Sequence, residues 1–180
     1  MLACAPAAAA ARDVIGVAVP EAVQAGGKAL ALNGTAVRSV TLFHVKTYVA
    51  AFYLPARAAR AEDVFNSAGP MRFDFHFVIS CSKEKMAKSW RYQFKESGTH
   101  DYPGLAEDVE RVAACFGPIE KSTVQSFELE GEETRLLENG KPVGTLRGRD
   151  FQKAFLSLWF GARPVTEEIK AGLLGAVPAA

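Results

Sequence analysis

The chain has 180 residues, of which 49% are hydrophobic and 23% are charged, a balance typical of a soluble globular protein. This length suits one domain with a substantial core. The formal net charge of +1 argues against a dedicated nucleic-acid surface, which needs a clustered basic excess. Because no apolar run reaches the roughly 18–20 residues of a membrane span, we expect a soluble domain that neither crosses a membrane nor binds nucleic acid.

The amino terminus is rich in alanine. Its first residues, MLACAPAAAAARDV, resemble the end of a secretory signal peptide, because an A-x-A pattern precedes Arg12 and suits signal peptidase. We therefore predict a signal-peptide remnant or disordered tail over residues 1–12 and a single domain over residues 13–180. The expected location is the periplasm or another exported compartment, with the cytoplasm as the alternative. The oligomeric state is left open.

Strand signals dominate the first half of the domain. Residues 13–27 predict an irregular lead-in, because Pro20 and a Gly-Gly pair interrupt them. LALNG at 30–34 predicts a short strand that ends in a turn. The stretches 37–43 and 45–54, rich in Val, Thr and aromatic residues, predict two further strands.

The clearest strand pattern lies at 71–79, after a short helix predicted at 56–67. In MRFDFHFVI, apolar and polar residues alternate, which is typical of a half-buried strand. The face expected to be buried consists of Met71, Phe73, Phe75, Phe77 and Ile79.

Two helices are expected next. Residues 82–97 predict an amphipathic helix with Ser82 as its N-cap, and a second helix follows at 103–116. On the first helix the apolar face consists of Met86, Trp90, Gln93 and Phe94, and the opposite face of Lys85, Lys88, Tyr92 and Lys95.

The last third of the chain returns to strands before it ends in helices. Residues 122–130 and 134–148 predict strands, and Asn139-Gly140 predicts a type I′ hairpin turn within the second. FQKAFLSLWFG at 151–161 predicts a helix that is apolar nearly all round, with Asp150 as its cap.

The order of these elements is strands, helices, strands and helices, without a repeating β-α-β rhythm. This order predicts an α+β fold in which an antiparallel sheet carries helices packed on one face.

Most catalytic and metal-binding signatures are missing from the sequence. It lacks a GxSxG nucleophile elbow, a GxxxxGK[ST] phosphate loop and any Cys/His spacing suited to zinc. The three histidines, His44, His76 and His100, are scattered. We therefore expect no metal, no cofactor and no catalytic residue. Whether Cys81 and Cys115 form a disulfide is left open.

Arg38 and Tyr48 form the most specific candidate site. If their strands pair antiparallel across a connection near 42–44, the two residues lie opposite each other on one face. A guanidinium fork and a phenol hydroxyl can replace the water that a carboxylate loses on entering an apolar cleft. The alternative, left open by the spacing, is that Arg38 pairs with a surface acid and Tyr48 packs in the sheet.

Three stretches of the sequence resemble the chalcone isomerase-like family: LALNGTAVRSV at 30–40, KTYVAAFYL at 46–54 and AFLSLWFGARPVTEEIKAGLLG at 154–175. That family includes plant enzymes that close chalcones to flavanones and non-catalytic relatives that bind fatty acids. The resemblance implies an open-faced β-sandwich, which is a curved antiparallel sheet with helices on one face. In the fatty-acid-binding relatives, the residues that match Arg38 and Tyr48 hold the carboxylate.

The resemblance also implies which branch of the family applies. The plant enzymes carry Thr in place of Tyr48. They carry a Tyr and an Asn on the middle helix, where this chain has Met86 and Gln93, and a Ser or Thr where it has Leu158. We therefore expect non-catalytic binding of a small amphipathic carboxylate, most simply a fatty acid, in an apolar cleft. The expected ligand-binding residues are Arg38, Tyr48, Met86, Trp90, Gln93, Phe94, Phe155, Leu158 and Trp159.

Two other functions stay open at this point. One is isomerisation of the chalcone type, an intramolecular Michael addition carried out by an intramolecular lyase. The other is a structural or partner-binding role for a protein with a filled core and no cavity.

Overall fold

The structure, a computed structural model, describes residues 10–40, 45–97 and 100–176. In chain order its elements are β1 (Ala11–Val14), β2 (Val17–Pro20), β3 (Ala22–Ala25), β4 (Lys28–Val40), β5 (Val45–Leu54), α1 (Ala61–Phe65), β6 (Met71–Phe77), α2 (Lys83–Glu96), α3 (Leu105–Cys115), β7 (Val124–Glu130), β8 (Glu133–Glu138), β9 (Lys141–Arg147), α4 (Arg149–Phe160) and α5 (Glu167–Leu173).

Strands β3 to β9 form one curled antiparallel sheet, in which each strand pairs with the next one along the chain. Strands β1 and β2 form a separate antiparallel hairpin. The helices pack on one side of the sheet, where the larger hydrophobic core lies. This architecture confirms the predicted α+β fold, with a curved antiparallel sheet and helices on one face.

Successive residues of β5 and β6 point alternately into two hydrophobic cores, one on each face of the sheet. Phe52 and Phe73 are register partners that face the helices, and we call this side of the sheet the inner face. Val49 and Tyr53 point to the opposite side, the outer face, where Val19 of the N-terminal hairpin packs with them. The sheet is therefore covered on both faces, by helices on one and by the hairpin on part of the other.

Charged residues on the outer face are buried in pairs. Arg72 donates from Nε to Asp74 at 2.7 Å and from Nη1 to Glu128 at 2.9 Å. Arg135 contacts the second oxygen of Glu128, also at 2.9 Å. The predicted alternation is confirmed for β6, but the prediction that its polar side is exposed is wrong for Asp74. Burial of that carboxylate is possible because Arg72 compensates its charge.

The predicted irregular lead-in over residues 13–27 is wrong, because this segment forms β1, β2 and β3. Two tight turns explain the difference. Ile15 and Gly16 have φ values of 51° and 81°, and Gly26 and Gly27 have values of 56° and 68°. Paired positive φ values are those of type I′ turns, which connect antiparallel strands directly.

The predicted turn at the end of LALNG is also wrong, because β4 continues through it. The Asn33 amide donates to the carbonyls of Ala58 at 2.9 Å and Leu173 at 2.8 Å, and its oxygen accepts from the Ala58 N–H at 2.8 Å. A Cβ on Gly34 would collide with the carbonyl oxygen of Gly172. The Asn-Gly pair thus allows α5 to approach the sheet closely instead of forming a turn.

The ends of the other elements agree with the predictions in most cases. Ser82 caps α2, since its Oγ accepts a backbone N–H at 3.3 Å. Asn139 and Gly140 have φ values of 50° and 76°, which confirms the type I′ turn. Asp150 as the cap of α4 is wrong, because Gly148 occupies that position and Asp150 lies in the first turn. A carboxylate in the first turn still stabilises the helix, because it interacts favourably with the positive end of the helix dipole.

Some predictions fall on residues outside the described ranges. These are the connection near 42–44 and the greater part of the tail at 1–12, so export stays a prediction. Within the described ranges, no helix has both the length and the apolar character needed to cross a membrane.

Candidate ligand-binding site

Arg38 and Tyr48 are register partners in the adjacent strands β4 and β5. Directly opposed residues of an antiparallel pair project from the same side of the sheet. Since Tyr48 belongs to the inner core, Arg38 also lies on the inner face, near the end of β4. The pairing that the sequence predicted for these two residues is confirmed.

A β-bulge lies beside this pair, where the register shifts between Arg38 and Ser39. The Thr47 hydroxyl donates to the Arg38 carbonyl at 3.0 Å, which ties the bulged strand to its neighbour. Bulges bend a strand, re-aim a side chain and occur often next to active sites. The extra residue of this bulge is Thr47 on β5, since Tyr48 pairs with Arg38 and Lys46 with Ser39, and the sequence carried no signal for it.

Tyr48 is buried, and its hydroxyl has no hydrogen-bond partner among the described residues. Its ring makes edge contacts with Phe75 and Phe77, with centroids 5.4 and 5.5 Å away. Burial raises the pKa of Tyr48 far above its usual value, and the charge of Arg38 opposes this only in part. Tyr48 is therefore a neutral donor at physiological pH. Leaving such a hydroxyl unmet costs about 1–3 kcal/mol.

Arg38 is partly buried and has no side-chain hydrogen bond or ion pair within the described ranges. The alternative in which a surface acid pairs with Arg38 thus finds no partner there. A guanidinium carries several N–H donors in a fixed fork that matches a carboxylate. Together with the Tyr48 hydroxyl, it forms a set of donors suited to a small anion.

The other residues predicted to bind the ligand lie on two helices that cover the inner face. Helix α2 contributes four of them and α4 three, and all are buried: Met86, Trp90, Gln93, Phe94, Phe155, Leu158 and Trp159. Phe75 connects this wall to Tyr48, because its ring centroid lies 5.9 Å from that of Trp90 and 5.1 Å from that of Trp159. The ring centroid of Phe94 lies 6.4 Å from that of Trp90.

Several buried polar atoms surround Phe75 without partners in the described part of the chain. They are the Tyr48 hydroxyl, the indole N–H groups of Trp90 and Trp159, and both amide atoms of Gln125. Proteins satisfy the large majority of buried polar groups. These atoms therefore keep unused hydrogen-bonding capacity within an otherwise aromatic layer.

Sequence reasoning missed Phe75 as the centre of this cluster, and it missed Gln125 altogether. Gln125 is the register partner of Phe75 and is fully buried. A signal was present, because Gln125 alternates in phase with Phe127 and Leu129 along β7. A glutamine in phase with core residues of a strand points into the core.

The structure shows four cavities between described residues, and none of these four is lined by Arg38 or Tyr48. One of about 390 Å³ lies between α2 and α3 and has Phe94 on its wall. The other wall residues predicted from the sequence are packed against neighbours in the inner core.

Cysteines and histidines are the other reactive side chains to consider. The described residues contain no cluster of His, Cys, Asp and Glu that could hold a metal. Cys81 and Cys115 are free thiols, and burial raises the pKa of each, which makes them weak nucleophiles. His76 lies on the outer face, away from Tyr48, and His100 contacts Asp150 at 3.2 Å. His44 lies outside the described ranges.

Comparison with known families identifies the fold. The sequence matches the family described as chalcone isomerase-like over residues 11–175. The chain belongs to the chalcone isomerase-like family. Among solved structures, a fatty-acid binding protein of Arabidopsis thaliana is similar, with a TM-score of 0.67 and 14% identity over 88% of this chain and 92% of that one. At this identity the likeness establishes the fold alone. No curated protein matches the sequence.

For a chalcone isomerase-like protein, the groups at the matched enzyme positions are informative. Met86 and Leu158 are buried and carry no hydroxyl. Gln93 donates to the Ser89 hydroxyl at 3.3 Å, while its own oxygen is buried without a partner among the described residues. The inner core therefore offers apolar surface and one amide at the three positions that the resemblance matches to hydroxyl and amide groups of the plant enzymes.

Proposed function

We propose that this chalcone isomerase-like protein binds a small amphipathic carboxylate, most simply a fatty acid, and does not catalyse a reaction on it. One observation carries the proposal: Tyr48, whose buried hydroxyl has no partner among the described residues, is the register partner of Arg38, which itself lacks a side-chain partner in the described part of the chain. The likeness of the fold to that of a fatty-acid binding protein agrees with this proposal.

The carboxylate head binds between Arg38 and Tyr48. Arg38 supplies two parallel N–H donors in a bidentate pair, and Tyr48 adds its hydroxyl. These donors replace the water that the carboxylate loses, which is the main obstacle to placing a charge in an apolar site. The protonated state of Tyr48 matters here, because a phenolate would repel the carboxylate.

The hydrocarbon chain lies along the inner aromatic layer, from Phe75 towards Trp90 and Trp159. Each methylene that leaves water contributes about 0.8 kcal/mol, so affinity rises with chain length until the wall is filled. The wall is closely packed, so side chains of α2 move to admit the chain. Met86 suits this role, because an unbranched thioether side chain adapts easily to a new neighbour.

Isomerisation of a chalcone requires more than the arginine. Arg38 can stabilise developing negative charge, but the positions matched to the enzyme hydroxyls hold Met86 and Leu158, which cannot orient a ketone or handle a proton. The expected result is that a chalcone loses its absorbance no faster with the protein than without it. Turnover on the order of 1 per second or more would contradict the binding proposal.

The direct test is calorimetric titration of delipidated protein with dodecanoate. Arg38→Ala should weaken binding by about 2–5 kcal/mol, since a carboxylate left without its charged partner stays desolvated and uncompensated. Tyr48→Phe removes one neutral donor and should cost about 0.5–3 kcal/mol. The double variant should lose less than the sum, because both side chains act on one carboxylate.

Arg147→Ala serves as the matched control, because this arginine lies on β9 with its side chain 85% exposed. It removes the same charge far from the site and should bind dodecanoate like the wild type. Circular dichroism checks that each variant is folded. Wild-type affinity in Arg38→Ala would show that Arg38 is not the anchor, and an unfolded Arg38→Ala would show that its role is structural.

A further inference from the structure

Helix α2 carries an uneven share of the positive charge. Its sequence, KEKMAKSWRYQFKE, contains five basic and two acidic residues. The helix therefore has a net charge of +3 in a chain whose total is +1, and the rest of the chain carries −2. The adjacent helix α3 has a net charge of −2, from three acidic residues and one arginine. The positive excess therefore belongs to α2 alone and can act only on the side of α2 that faces away from α3.

Four outward-facing side chains of α2, which we call the basic stripe, are Lys85, Lys88, Tyr92 and Lys95. All four are exposed, and Tyr92 is 62% exposed. Their spacing places them in one row along the helix, opposite the buried face that carries Trp90. The exposed Glu96 lies at the end of the same row, so the outward face of α2 keeps a net charge of +2. No ion pair joins the three lysines to a residue within the described ranges.

The neighbouring cation on α2 is already occupied. Arg91 forms a bidentate pair with Glu110 of α3, with N–O distances of 2.6 and 2.7 Å. Its charge is thereby directed to α3 and not to an outside partner. The contrast leaves the basic stripe as the part of α2 that is free to meet an external anion.

The composition of the stripe favours a lipid surface over an acidic protein. Lysines attract anionic headgroups, and a tyrosine between them places an amphipathic ring at the depth of those headgroups. The lysine stems can lie along apolar surface while their charges stay in water. A purely acidic partner would use the lysines but would leave the exposed ring of Tyr92 without a function.

A cavity beside the stripe shares one of its lining residues, Phe94, with the inner core. The cavity of about 390 Å³ between α2 and α3 has Lys95 on its rim and Phe94, Leu105 and Val109 on its apolar walls. The ring of Phe94 also lies beside that of Trp90 in the inner aromatic layer, with 6.4 Å between their centroids. A bilayer lying against the stripe would therefore lie next to an apolar cavity whose wall is shared with the inner core.

We propose that α2 docks on a membrane containing anionic phospholipids through the basic stripe, and that the bilayer is the place where the carboxylate ligand is collected or delivered. The second half of this inference rests on the proposed function. The docking itself does not, because the stripe lies on the opposite side of α2 from the residues that would hold the ligand.

Docking is tested by co-sedimentation with two kinds of vesicle at an ionic strength of about 0.15 M. One kind is phosphatidylcholine alone, and the other is an equal mixture of phosphatidylcholine and phosphatidylglycerol. The wild type should bind the mixed vesicles and not the neutral ones. Replacing the three stripe lysines by Gln, which has a similar helix propensity, should lower the partition coefficient on the order of 100-fold.

The matched control replaces Lys28, Lys121 and Lys141 by Gln. These lysines are exposed and lie outside α2, so the variant has the same total charge as the stripe variant. It should bind mixed vesicles like the wild type. Equal losses in the two variants would overturn the proposal, because binding would then depend on net charge and not on the stripe. Wild-type protein that ignores mixed vesicles would overturn it as well.

Tyr92→Ala separates a bilayer from a merely acidic surface. Loss of the ring should weaken binding to mixed vesicles several-fold while the lysines remain. If Tyr92→Ala binds mixed vesicles like the wild type, the ring takes no part in docking. That result would overturn the choice of a bilayer over an acidic protein, because the choice depends on the ring.

Transfer of ligand distinguishes failure of docking from failure of the proposed function. Delipidated protein is mixed with vesicles preloaded with dodecanoate, and protein-bound dodecanoate is measured. The stripe variant should acquire it more slowly than the wild type from mixed vesicles, but should bind free dodecanoate with unchanged affinity. If the protein binds vesicles but not dodecanoate, the docking proposal stands, and the proposed function as a fatty-acid binder is wrong.

Discussion

Two arginines on opposite faces of the same sheet differ in what surrounds them. On the outer face, the guanidinium of Arg72 donates to Asp74, Glu128 and the hydroxyl of Ser126, the last at 3.3 Å. On the inner face, Arg38 has no such partner in the described part of the chain, and its register partner Tyr48 has a buried hydroxyl without a partner there. The first arginine completes a charge network within the protein, and the second has donors left for a ligand.

The same contrast holds for neutral polar groups, although less completely. On the inner face, Gln125 is buried with neither amide atom partnered among the described residues. On the outer face of the same strand, Ser126 accepts from Arg72. Tyr53 and His76 are exceptions on the outer face, since the Tyr53 hydroxyl and one His76 nitrogen also lack partners there. Polar groups are thus better satisfied on the face that we consider structural.

The largest effect should come from Arg72. Arg72→Ala leaves the buried carboxylates of Asp74 and Glu128 without their shared partner, which typically costs about 3–5 kcal/mol of stability. Arg38→Ala should change stability by less than about 1 kcal/mol, since it breaks no contact of this kind. Urea unfolding of both variants measures the difference. Equal losses of stability in the two variants would contradict the distinction between a structural Arg72 and a ligand-holding Arg38.

A smaller effect of opposite sign is expected at Gln125. Gln125→Leu replaces an unpartnered buried amide by an apolar group of similar size, so the ligand-free protein should gain about 1–3 kcal/mol of stability. Ser126→Ala on the other face of β7 removes a hydrogen bond and should cost about 1 kcal/mol. Thermal unfolding decides the signs. A loss of stability in Gln125→Leu would mean that its amide is satisfied in solution.

The smallest effect concerns His76, one of the exceptions on the outer face. Burial lowers the pKa of His76, while Asp74 opposes this shift and Arg72 adds to it. The unfolded chain therefore takes up a proton more readily than the folded chain below about pH 6.5, and this residue makes stability fall on acidification through that range. His76→Leu should lose less stability than the wild type between neutral and mildly acidic pH in urea titrations. If the stability of both proteins falls equally with pH, this pH dependence does not come from His76.

Local patterns predicted much of this molecule. Alternation identified β6 and its inner residues, helical spacing identified the buried face of α2, and the position of Arg38 and Tyr48 in two successive strands predicted their pairing. These features follow from the periods of strand and helix, which depend only on neighbours along the chain. The spacing left the role of Arg38 and Tyr48 open, and the resemblance to the chalcone isomerase-like family gave them the role of holding a carboxylate.

The features that the sequence did not predict depend on distant segments. Asn33 and Gly34 predict a turn locally, yet contacts with Ala58, Leu173 and Gly172 keep them in a strand. The cluster around Phe75 forms only when α2, α4 and β7 converge. Long-range packing of this kind overrides local propensity and is not encoded in any short stretch.

The central claim is that Arg38 selects a ligand by its carboxylate. The most direct measurement compares the affinities of dodecanoate and dodecanol for the wild type and for Arg38→Ala. Both ligands offer the same chain to the apolar wall, so the difference between them reports the head group alone. Our account predicts a strong preference of the wild type for dodecanoate, worth about 2–5 kcal/mol, that disappears in Arg38→Ala. An equal preference in both proteins would contradict it.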